Sequence, residues 1–387
     1  MKKLLIVNNN MKVGGVQKSL LNLLWSLEGQ YEVTLCLFSP QGAYLQQLPP
    51  WVKVVSCRGP ARYLGISQGQ CRGADKLLRG GLAVLCRVFG RDRVMKLVLA
   101  FEKPVPGTFD CAIAFLHNGS LRNFYGGVQE FVLKKARADR KVAWLHCDYG
   151  SCGANHPRNN RILRGFDRIA ACSDGCRRAF AAVVPELEDR CVTVPNFHCY
   201  QQIADLAEAP VDYAPGGIHC VSVARLAHEK ALDRGISAVA EARKSGADLW
   251  LHIVGGGPME RQLRQLTAEL GLQDRVVFHG EQPNPYPYMA AADLFLLTSY
   301  HEAAPMVIDE AVSLGLPVLT ARTTSSEEMV TARRAGWVCD NDQAALNEAL
   351  LAAVSDREAL KKIKDSLRQR TVDNTVAAEA FRRLIGE

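Results

Sequence analysis

Several features that would assign this 387-residue chain to a special class are missing from it. No apolar run reaches the roughly 18 residues needed to cross a bilayer, and the first one, which begins at Leu4, stops at Asn8, too early for a signal peptide. There is no Cys-x-x-Cys pair, and the odd number of cysteines, thirteen, argues against a disulfide framework. Short-period repeats and low-complexity segments are also lacking. These absences favour a globular protein in a reducing cytoplasm.

The composition is that of a chain that folds, with 48% hydrophobic and 22% charged residues. A length of 387 residues exceeds what one hydrophobic core usually serves, so two domains are expected. We predict them at residues 1–200 and 201–387, with the proline- and glycine-rich stretch 210–217 as a linker near their border. The closing helical segment, 356–385, is compatible with packing on either half, including a return of its last helix to the first domain.

Charge is distributed unevenly along the chain, although the net charge is only +7. Residues 1–200 carry 28 basic and 14 acidic side chains, a balance of +14, whereas the remainder carries 19 and 26, a balance of −7. Much of the excess lies in residues 58–103, where basic side chains alternate with leucine and valine at helix-compatible spacing. These basic residues include Arg72, Lys76, Arg79, Arg87, Arg91, Arg93 and Lys96.

Two interpretations suit the basic segment 58–103. Its pattern is typical of helices that lie on an anionic membrane surface, and equally of ordinary surface helices with their arginines in water, so both interpretations stay open. Nucleic acid is not expected as a partner, because no aromatic residues are interleaved in a stacking pattern and no binding motif occurs.

Short apolar or β-branched runs alternate with longer helix-period segments, a pattern typical of parallel α/β sheets. In the first half the predicted strands are 3–8, 32–38, 110–115, 141–146, 168–171 and 191–194. In the second half they are 219–223, 249–254, 276–279, 294–298, 317–320 and 336–339. The fold class is therefore predicted to be α/β with two sheets of about six strands each. Because ligands of open parallel sheets bind at the carboxyl ends of the strands, we expect the functional residues in the strand-to-helix loops of two facing domains.

Two of these loops are rich in glycine. Gly14 and Gly15 directly precede the first helix, where backbone N–H groups can approach a phosphate, but the spacing fits neither a P-loop nor a dinucleotide fingerprint. Gly255 and Gly257 occupy the corresponding turn after a strand of the second half. A tight strand-to-helix turn would select the same residues, so neither pair decides the function.

Charged residues follow two other strands of the second half. Arg225 and Lys230, five positions apart, could hold a diphosphate and neutralise the charge that grows as a phosphate leaving group departs. Glu302 and Glu310 lie at the start of a helix and two turns along it, where a carboxylate can accept ribose hydroxyls and free N–H groups suit a phosphate. The alternatives are ordinary surface cations and acidic residues favoured by the helix dipole.

Together these residues resemble those of the retaining glycosyltransferases of family 4, in particular the bacterial enzymes that make surface polysaccharides. The resemblance covers nearly the whole chain. It is carried by Gly14-Gly15, the Arg225 to Lys230 pair, the Gly255 to Pro258 turn and, above all, the Glu-x7-Glu pattern of Glu302 and Glu310. It implies the GT-B fold, in which two facing Rossmann-like domains with parallel sheets enclose a cleft.

The resemblance also implies roles for single residues. Glu302 is expected near the transferred sugar, and His146, at the end of a first-half strand, is expected near the same sugar; these are the predicted catalytic residues. Without the resemblance, His146 would be interpreted as a satisfied core histidine. The predicted donor-binding residues are Gly14, Gly15, Arg225, Lys230, Ala304, Met306, Val307 and Glu310. Residues expected to support them are Asp148, Gly255 and Gly257.

The chain departs from the family pattern at three positions. Ala303 and Ala231 stand where the family usually has glycine, which is expected to narrow the sugar site or alter the loops. Pro305 removes one amide donor from the start of the helix. None of these changes abolishes the predicted site.

The activity implied by the resemblance is transfer of a sugar, with retention, from a nucleotide sugar to a hydroxyl. A UDP-sugar donor and a lipid-linked saccharide acceptor are expected, at the inner face of the plasma membrane. The resemblance also implies that no cofactor and no metal are needed. The Asp340-x-Asp342 motif is expected to cap a helix, and Cys172 and Cys176 are expected to be packed thiols. The alternatives are a nucleotide-sugar epimerase of the same fold, which would act without an acceptor, and an inactive partner in a polysaccharide assembly complex.

Overall fold

The computed structural model describes residues 1–66, 69, 71–119 and 124–387, and these residues form two compact units. Unit 1 comprises Met1–Phe197 and Asn374–Glu387, and unit 2 comprises His198–Asp373. The stretch 210–217 therefore lies within unit 2, in the segment that leads into its first strand.

Unit 1 is built on a seven-stranded parallel sheet. Its strands are β1 (Lys2–Asn8), β2 (Tyr31–Leu37), β3 (Lys53–Ser56), β4 (Phe109–Ala114), β5 (Ala138–Leu145), β6 (Arg168–Ala171) and β7 (Cys191–Thr193). Their order is β3-β2-β1-β4-β5-β6-β7, and every adjacent pair is parallel. Leu4–Val7 is wholly buried, as expected for a central strand covered on both faces. The six predicted strands are present. β3 was not predicted, because an exposed four-residue edge strand has no apolar run.

Unit 2 repeats this plan with six parallel strands. They are β8 (Ile218–Val223), β9 (Leu249–Val254), β10 (Val276–Gly280), β11 (Leu294–Leu297), β12 (Val318–Ala321) and β13 (Gly336–Cys339), in the order β10-β9-β8-β11-β12-β13. The prediction of an α/β fold with two parallel sheets is confirmed.

Helices connect the strands in both units. Those of unit 1 are α1 (Gly15–Ser26), α2 (Gly73–Phe89), α3 (Arg91–Ala100), α4 (Val128–Lys135), α5 (Pro157–Leu163) and α6 (Asp174–Val183). Those of unit 2 are α7 (Tyr200–Ala207), α8 (Leu232–Lys244), α9 (Glu260–Glu269), α10 (Tyr286–Ala291), α11 (Met306–Ser313), α12 (Gln343–Ser355) and α13 (Arg357–Arg368). Among the described residues no helix has both the length and the apolar composition needed to cross a bilayer.

The chain ends with α14 (Thr375–Ile385), which belongs to unit 1. Its Phe381 is buried, and its ring packs edge-on against those of Tyr31 and Phe197 at 6.1 and 6.2 Å. The Arg140 guanidinium donates a hydrogen bond to the Leu384 carbonyl. The core of unit 1 is thus completed by residues that follow all of unit 2 in the sequence.

The strand order reverses once in each sheet, between β1 and β4 in unit 1 and between β8 and β11 in unit 2. At such a reversal the connections on either side leave in opposite directions, and the loops at the carboxyl ends of the two strands leave room for a ligand. In unit 2 those loops contain Lys230 and Glu302.

The basic segment 58–103 contains α2 and α3, while its residues 67–68 and 70 lie outside the described ones. Arg79 and Arg91 are buried, and their guanidinium groups donate hydrogen bonds to the carbonyls of Ile66 and Tyr125. Both interpretations of these two arginines, at a membrane surface or in water, were therefore wrong. Many apolar side chains of the segment are exposed, although Val94, Val98 and Leu99 of α3 are buried. The exposed ones include Leu77, Leu78, Val84, Leu85, Val88, Phe89 and Leu97.

Three histidines form a hydrogen-bonded row across neighbouring strands of unit 2. His219 Nδ1 lies 2.9 Å from His252 Nε2, and His252 Nδ1 lies 3.0 Å from His279 Nε2. The ring of Tyr213 stacks on His252 at a centroid distance of 3.7 Å. Burial, followed by the neighbouring histidines, lowers the pKa of His252 to about 3. The row is consequently uncharged at its centre near neutral pH.

Candidate functional site

Lys230 and Glu302 form an ion pair at the reversal of strand order in unit 2. Lys230 ends a short turn between β8 and α8, and Glu302 lies in the loop between β11 and α11. Lys230 Nζ lies 2.5 Å from Glu302 Oε1, and the same oxygen accepts a 2.8 Å hydrogen bond from Ser299 Oγ. Both side chains of the ion pair are mostly buried, so water screens it weakly. The two residues predicted to contact the sugar and the diphosphate are thus brought together.

Hydrogen bonds between the two loops hold this pair in place. Thr298 Oγ1 donates to the carbonyls of Lys230 and Ala231 at 3.0 and 2.8 Å. The Tyr300 N–H donates to the Glu229 carbonyl at 3.0 Å. The ion pair therefore lies on a fixed backbone frame.

Ala231 has a left-handed backbone conformation, with φ 48° and ψ 43°, and its side chain is buried. Residues other than glycine seldom adopt this conformation, because the Cβ approaches a carbonyl oxygen, at a cost of about 1–2 kcal/mol. The conformation at this position is thus one that glycine adopts more readily, and this chain forms the turn with alanine.

Arg225 is not part of the ion pair. Its exposed side chain pairs with Glu229 within the same turn. Burial acts to raise the pKa of Glu229, but its own backbone N–H and the charges of Arg225 and Lys230 outweigh burial and lower that pKa. Two cations and two carboxylates therefore share this corner of unit 2.

The glycines of the turn after β9 are required by close backbone contacts. A Cβ on Gly255, which has φ 145°, would lie 1.9 Å from the Ala224 carbonyl oxygen, and one on Gly257 would lie 2.4 Å from that of Leu226. The Leu226 N–H also donates to the Gly256 carbonyl at 2.9 Å. The turn thus supports the backbone on both sides of Arg225.

The start of α11 supplies the remaining candidates of unit 2. Met306 and Val307 are its first residues, and the first four N–H groups of a helix lack intrahelical partners. Ala304 precedes Pro305, which has no N–H to donate. Glu310 is buried and accepts a 3.3 Å hydrogen bond from Tyr286 Oη, among the contacts that hold it.

Arg234 and Asn341 brace the loop of Glu302, and neither was predicted. The buried Arg234 donates to Asn341 Oδ1 at 2.6 Å, and its guanidinium lies over the Tyr300 ring at 5.1 Å. Asn341 Nδ2 donates to the Tyr300 carbonyl at 3.1 Å. The only signal in the sequence was a second cation one helical turn after Lys230.

Gly14 and Gly15 differ in what surrounds them in unit 1. The Gly14 carbonyl accepts from the Lys18 N–H at 2.9 Å, and a Cβ on Gly14 would meet only the end of the Gln17 side chain. A Cβ on Gly15 would meet nothing within 4 Å. Packing does not explain the absence of a side chain at Gly15.

His146 follows β5 and lies among aromatic rings, stacked on Trp144 and 4.6 Å from the ring of Phe115. Burial, with a smaller contribution from His117, lowers the pKa of His146 to about 3. Its Nε2 is buried and has no hydrogen-bond partner among the described residues. Asp148 instead closes a turn, since its Oδ1 accepts from the N–H groups of Gly150 and Ser151.

Comparisons with known proteins find similarity to glycosyltransferases. Residues 213–370 match the family model described as "Glycosyl transferases group 1". The chain is 30% identical over 187 residues to the putative colanic acid biosynthesis glycosyltransferase WcaL of Escherichia coli (strain K12), covering 44% of this chain and 46% of WcaL. It is also 30% identical over 179 residues to the lipopolysaccharide core biosynthesis glycosyltransferase LpsD of Rhizobium meliloti (strain 1021), covering 46% and 48%. The matches span about half the length of these relatives.

Solved structures resemble the whole chain. Anabaena Alr3699/HepE in complex with UDP aligns with a TM-score of 0.67 and 18% identity, over 99% of both chains. WaaG, a glycosyltransferase involved in lipopolysaccharide biosynthesis, aligns with a TM-score of 0.62 and 17% identity, over 99% of this chain and all of WaaG. This likeness establishes the fold as GT-B, as predicted.

Proposed function

From the group 1 glycosyltransferase domain at residues 213–370 and the GT-B fold, we propose that this protein transfers a sugar from a nucleotide sugar to an acceptor hydroxyl. The observation that supports the proposal most directly is the Lys230–Glu302 pair. It lies at the carboxyl ends of β8 and β11, beside the reversal of strand order, where parallel sheets bind ligands.

In this mechanism the acceptor oxygen attacks the anomeric carbon while the bond from that carbon to the phosphate oxygen breaks. The acceptor proton passes to the departing phosphate, and attack on the same face retains the configuration. Lys230 and Arg225 stabilise the negative charge that grows on the diphosphate, which is the main catalytic task. Glu302 accepts a hydrogen bond from a sugar hydroxyl.

His146 acts in this scheme as an uncharged hydrogen-bonding group. With its pKa lowered to about 3, His146 carries no charge at neutral pH, and its Nε2 can accept a hydrogen bond from a sugar hydroxyl. Glu310 accepts the ribose hydroxyls, and the N–H groups of Met306 and Val307 approach the phosphates.

The transfer is proposed to need no metal ion. Asp342 caps α12, where its Oδ1 accepts from the Ala345 N–H at 2.9 Å, and Asp340 pairs with Arg322 at 3.1 Å. These two carboxylates therefore have structural partners, and the cationic side chains of unit 2 supply the charge that a metal would otherwise provide.

UDP is the nucleotide that we propose for the donor, because the HepE complexes with UDP and with UDP-glucose share the fold over nearly the whole chain. The relatives named for colanic acid and lipopolysaccharide core biosynthesis favour a lipid-linked saccharide as the acceptor.

Contact with an anionic membrane at the cytoplasmic face fits that acceptor. In α2 the exposed apolar residues recur at helical spacing, as pairs at 77–78, 84–85 and 88–89. Lys76 and Arg87 belong to the same helix. An exposed apolar face beside basic residues is typical of a helix that lies in the membrane interface.

The proposal is tested by incubating the purified protein with a panel of nucleotide sugars and measuring nucleotide release with and without a membrane extract. We expect release from a UDP-sugar that rises with the extract. Lys230→Ala should abolish it, whereas Lys244→Ala, at an exposed lysine of the same unit, should not. A folded protein that releases nucleotide from no donor would contradict the proposal, and acceptor-independent conversion of the donor would instead indicate an epimerase.

A further inference from the structure

Three potential metal ligands converge at the carboxyl edge of the sheet in unit 1. His117 lies in the segment after β4, and Cys147 and Cys152 lie in the segment after the neighbouring strand β5. One ligand atom from each residue lies within 4.8 Å of the other two. His117 is thirty positions before Cys147 in the sequence, and the pairing of β4 with β5 brings it to the two cysteines.

The environment of these side chains favours an ion over ordinary packing. The Nδ1 atom of His117 is buried and has no hydrogen-bond partner among the described residues. A buried polar atom without a partner is costly, and a bound ion would satisfy it. Cys147 is buried, whereas Cys152 is exposed, so the group has both an enclosed side and a route for an ion from solvent.

The donor set selects the ion. One imidazole nitrogen and two thiolates are the ligands of Zn²⁺, whereas Mg²⁺ and Ca²⁺ prefer oxygen. We propose that His117, Cys147 and Cys152 form a Zn²⁺ site with three protein ligands, its fourth position being open to water. The two thiols lose their protons to solvent when the ion binds.

A second pair of neighbouring thiols, Cys172 and Cys176, lacks these features. Cys172 and Cys176 lie 3.7 Å apart, but both are buried and neither belongs to the group that contains a histidine. The neighbouring Asp148 is engaged in its own turn. The zinc site is therefore assigned to the pair that joins an enclosed thiol to an exposed one.

The ion has no part in the sugar transfer proposed above. Cys147 directly follows His146, however, so an ion held there would fix the backbone next to His146. That consequence rests on the proposed function, while the binding of the ion does not.

The site is tested on the full chain, first reduced and stripped of metal with a chelator. Zn²⁺ is then titrated against a chromophoric chelator, and Co²⁺ is added to a second sample. We expect one Zn²⁺ per chain, and with Co²⁺ the intense visible absorption of a tetrahedral site together with thiolate charge transfer. Cys152→Ser should weaken binding by at least about tenfold, because it removes a ligand.

Cys86→Ser is the matched control, since Cys86 is a partly exposed thiol of the same unit outside the group. It should bind Zn²⁺ as the unsubstituted chain does. Because Cys152 is exposed, its substitution should leave the melting temperature of the metal-free protein unchanged, which separates loss of the site from loss of the fold. Zn²⁺ binding that is absent, or that is equal in the Cys152→Ser and unsubstituted chains, would overturn the proposal.

Discussion

Lys230 Nζ lies 2.5 Å from Glu302 Oε1, so the ammonium and carboxylate groups neutralise each other's charge. A diphosphate at this position competes with Glu302 for the ammonium group of Lys230. The strength of nucleotide binding and the rate of transfer are therefore expected to respond differently to the loss of the carboxylate.

Glu302→Gln should lower the transfer rate by about a hundredfold, because the sugar loses a charged acceptor in the transition state. UDP affinity should be unchanged or severalfold higher, since Lys230 is then free to pair with the diphosphate. Lys230→Ala should weaken UDP binding by about tenfold or more, through loss of a charge-assisted hydrogen bond. Calorimetric titration with UDP and an initial-rate assay test both expectations. Equal loss of UDP affinity in the two variants would contradict this account.

The turn after β9 offers a comparison between neighbouring glycines. Gly255→Ala places a Cβ against the Ala224 carbonyl at 1.9 Å, whereas Gly256→Ala meets Glu281 only at 3.4 Å, an ordinary contact. We expect Gly255→Ala to destabilise the protein by about 1–3 kcal/mol, as overpacking usually does, and to weaken UDP binding by displacing Arg225. Gly256→Ala should change neither quantity. Urea denaturation and UDP titration are the measurements, and identical behaviour of the two variants would contradict the role of the turn.

Ala231 is a test of backbone strain beside the site. The left-handed conformation costs alanine about 1–2 kcal/mol, and Ala231→Gly removes that cost. The greater freedom of glycine in the unfolded chain offsets part of the gain in stability. The stability should therefore stay equal or rise by up to about 1 kcal/mol. Ala231→Val should instead be clearly destabilising, because a β-branched residue at a buried, left-handed position is strained. A higher denaturation midpoint for Ala231→Val than for Ala231→Gly would refute this interpretation.

The histidine row of unit 2 predicts a loss of stability in acid. The pKa of His252 is about 3 in the folded protein, against an ordinary value of 6.5, so between these limits the unfolded chain binds a proton that the folded chain does not. The contribution of the uncharged His252 to the free energy of unfolding is therefore complete above pH 6.5, and it is lost progressively as the pH falls towards 3. His252→Gln should make the melting temperature fall less steeply with decreasing pH, whereas the exposed His228→Gln should not. An unchanged slope in His252→Gln would exclude the row as a cause.

The exposed face of α2 predicts binding to anionic vesicles. Leu77→Gln with Val88→Gln should weaken binding to phosphatidylglycerol vesicles by roughly tenfold or more, since each apolar side chain that leaves the lipid loses about 1.5 kcal/mol. Val376→Gln, at an exposed apolar residue of α14, serves as the control. Sedimentation with vesicles of anionic and of neutral lipid measures the effect. No sedimentation of the unsubstituted chain with anionic vesicles would contradict the membrane contact.

The sheets were predictable because their strands are apolar runs between turn residues, a signal that lies within each segment. β3 gave no such signal, since an edge strand with exposed residues resembles a loop. The burial of Arg79 and Arg91 was also unpredictable, because their partners are backbone carbonyls, which carry no sequence pattern.

The candidate residues of unit 2 could be found because Lys230 and Glu302 stand in short loops after strands. Arg234 and Asn341 could not, because they act through contacts between residues more than a hundred positions apart. The grouping of His117 with two cysteines likewise depends on which strands pair.

The placement of α14 in unit 1 has a consequence for synthesis on the ribosome. Phe381 packs against Tyr31 and Phe197, which emerge long before it, with all of unit 2 made in between. The first unit to be translated is thus the last to complete its core. Until α14 emerges, the apolar surface that it covers is open to chaperones, and we expect nascent chains that stop before α14 to be held by them.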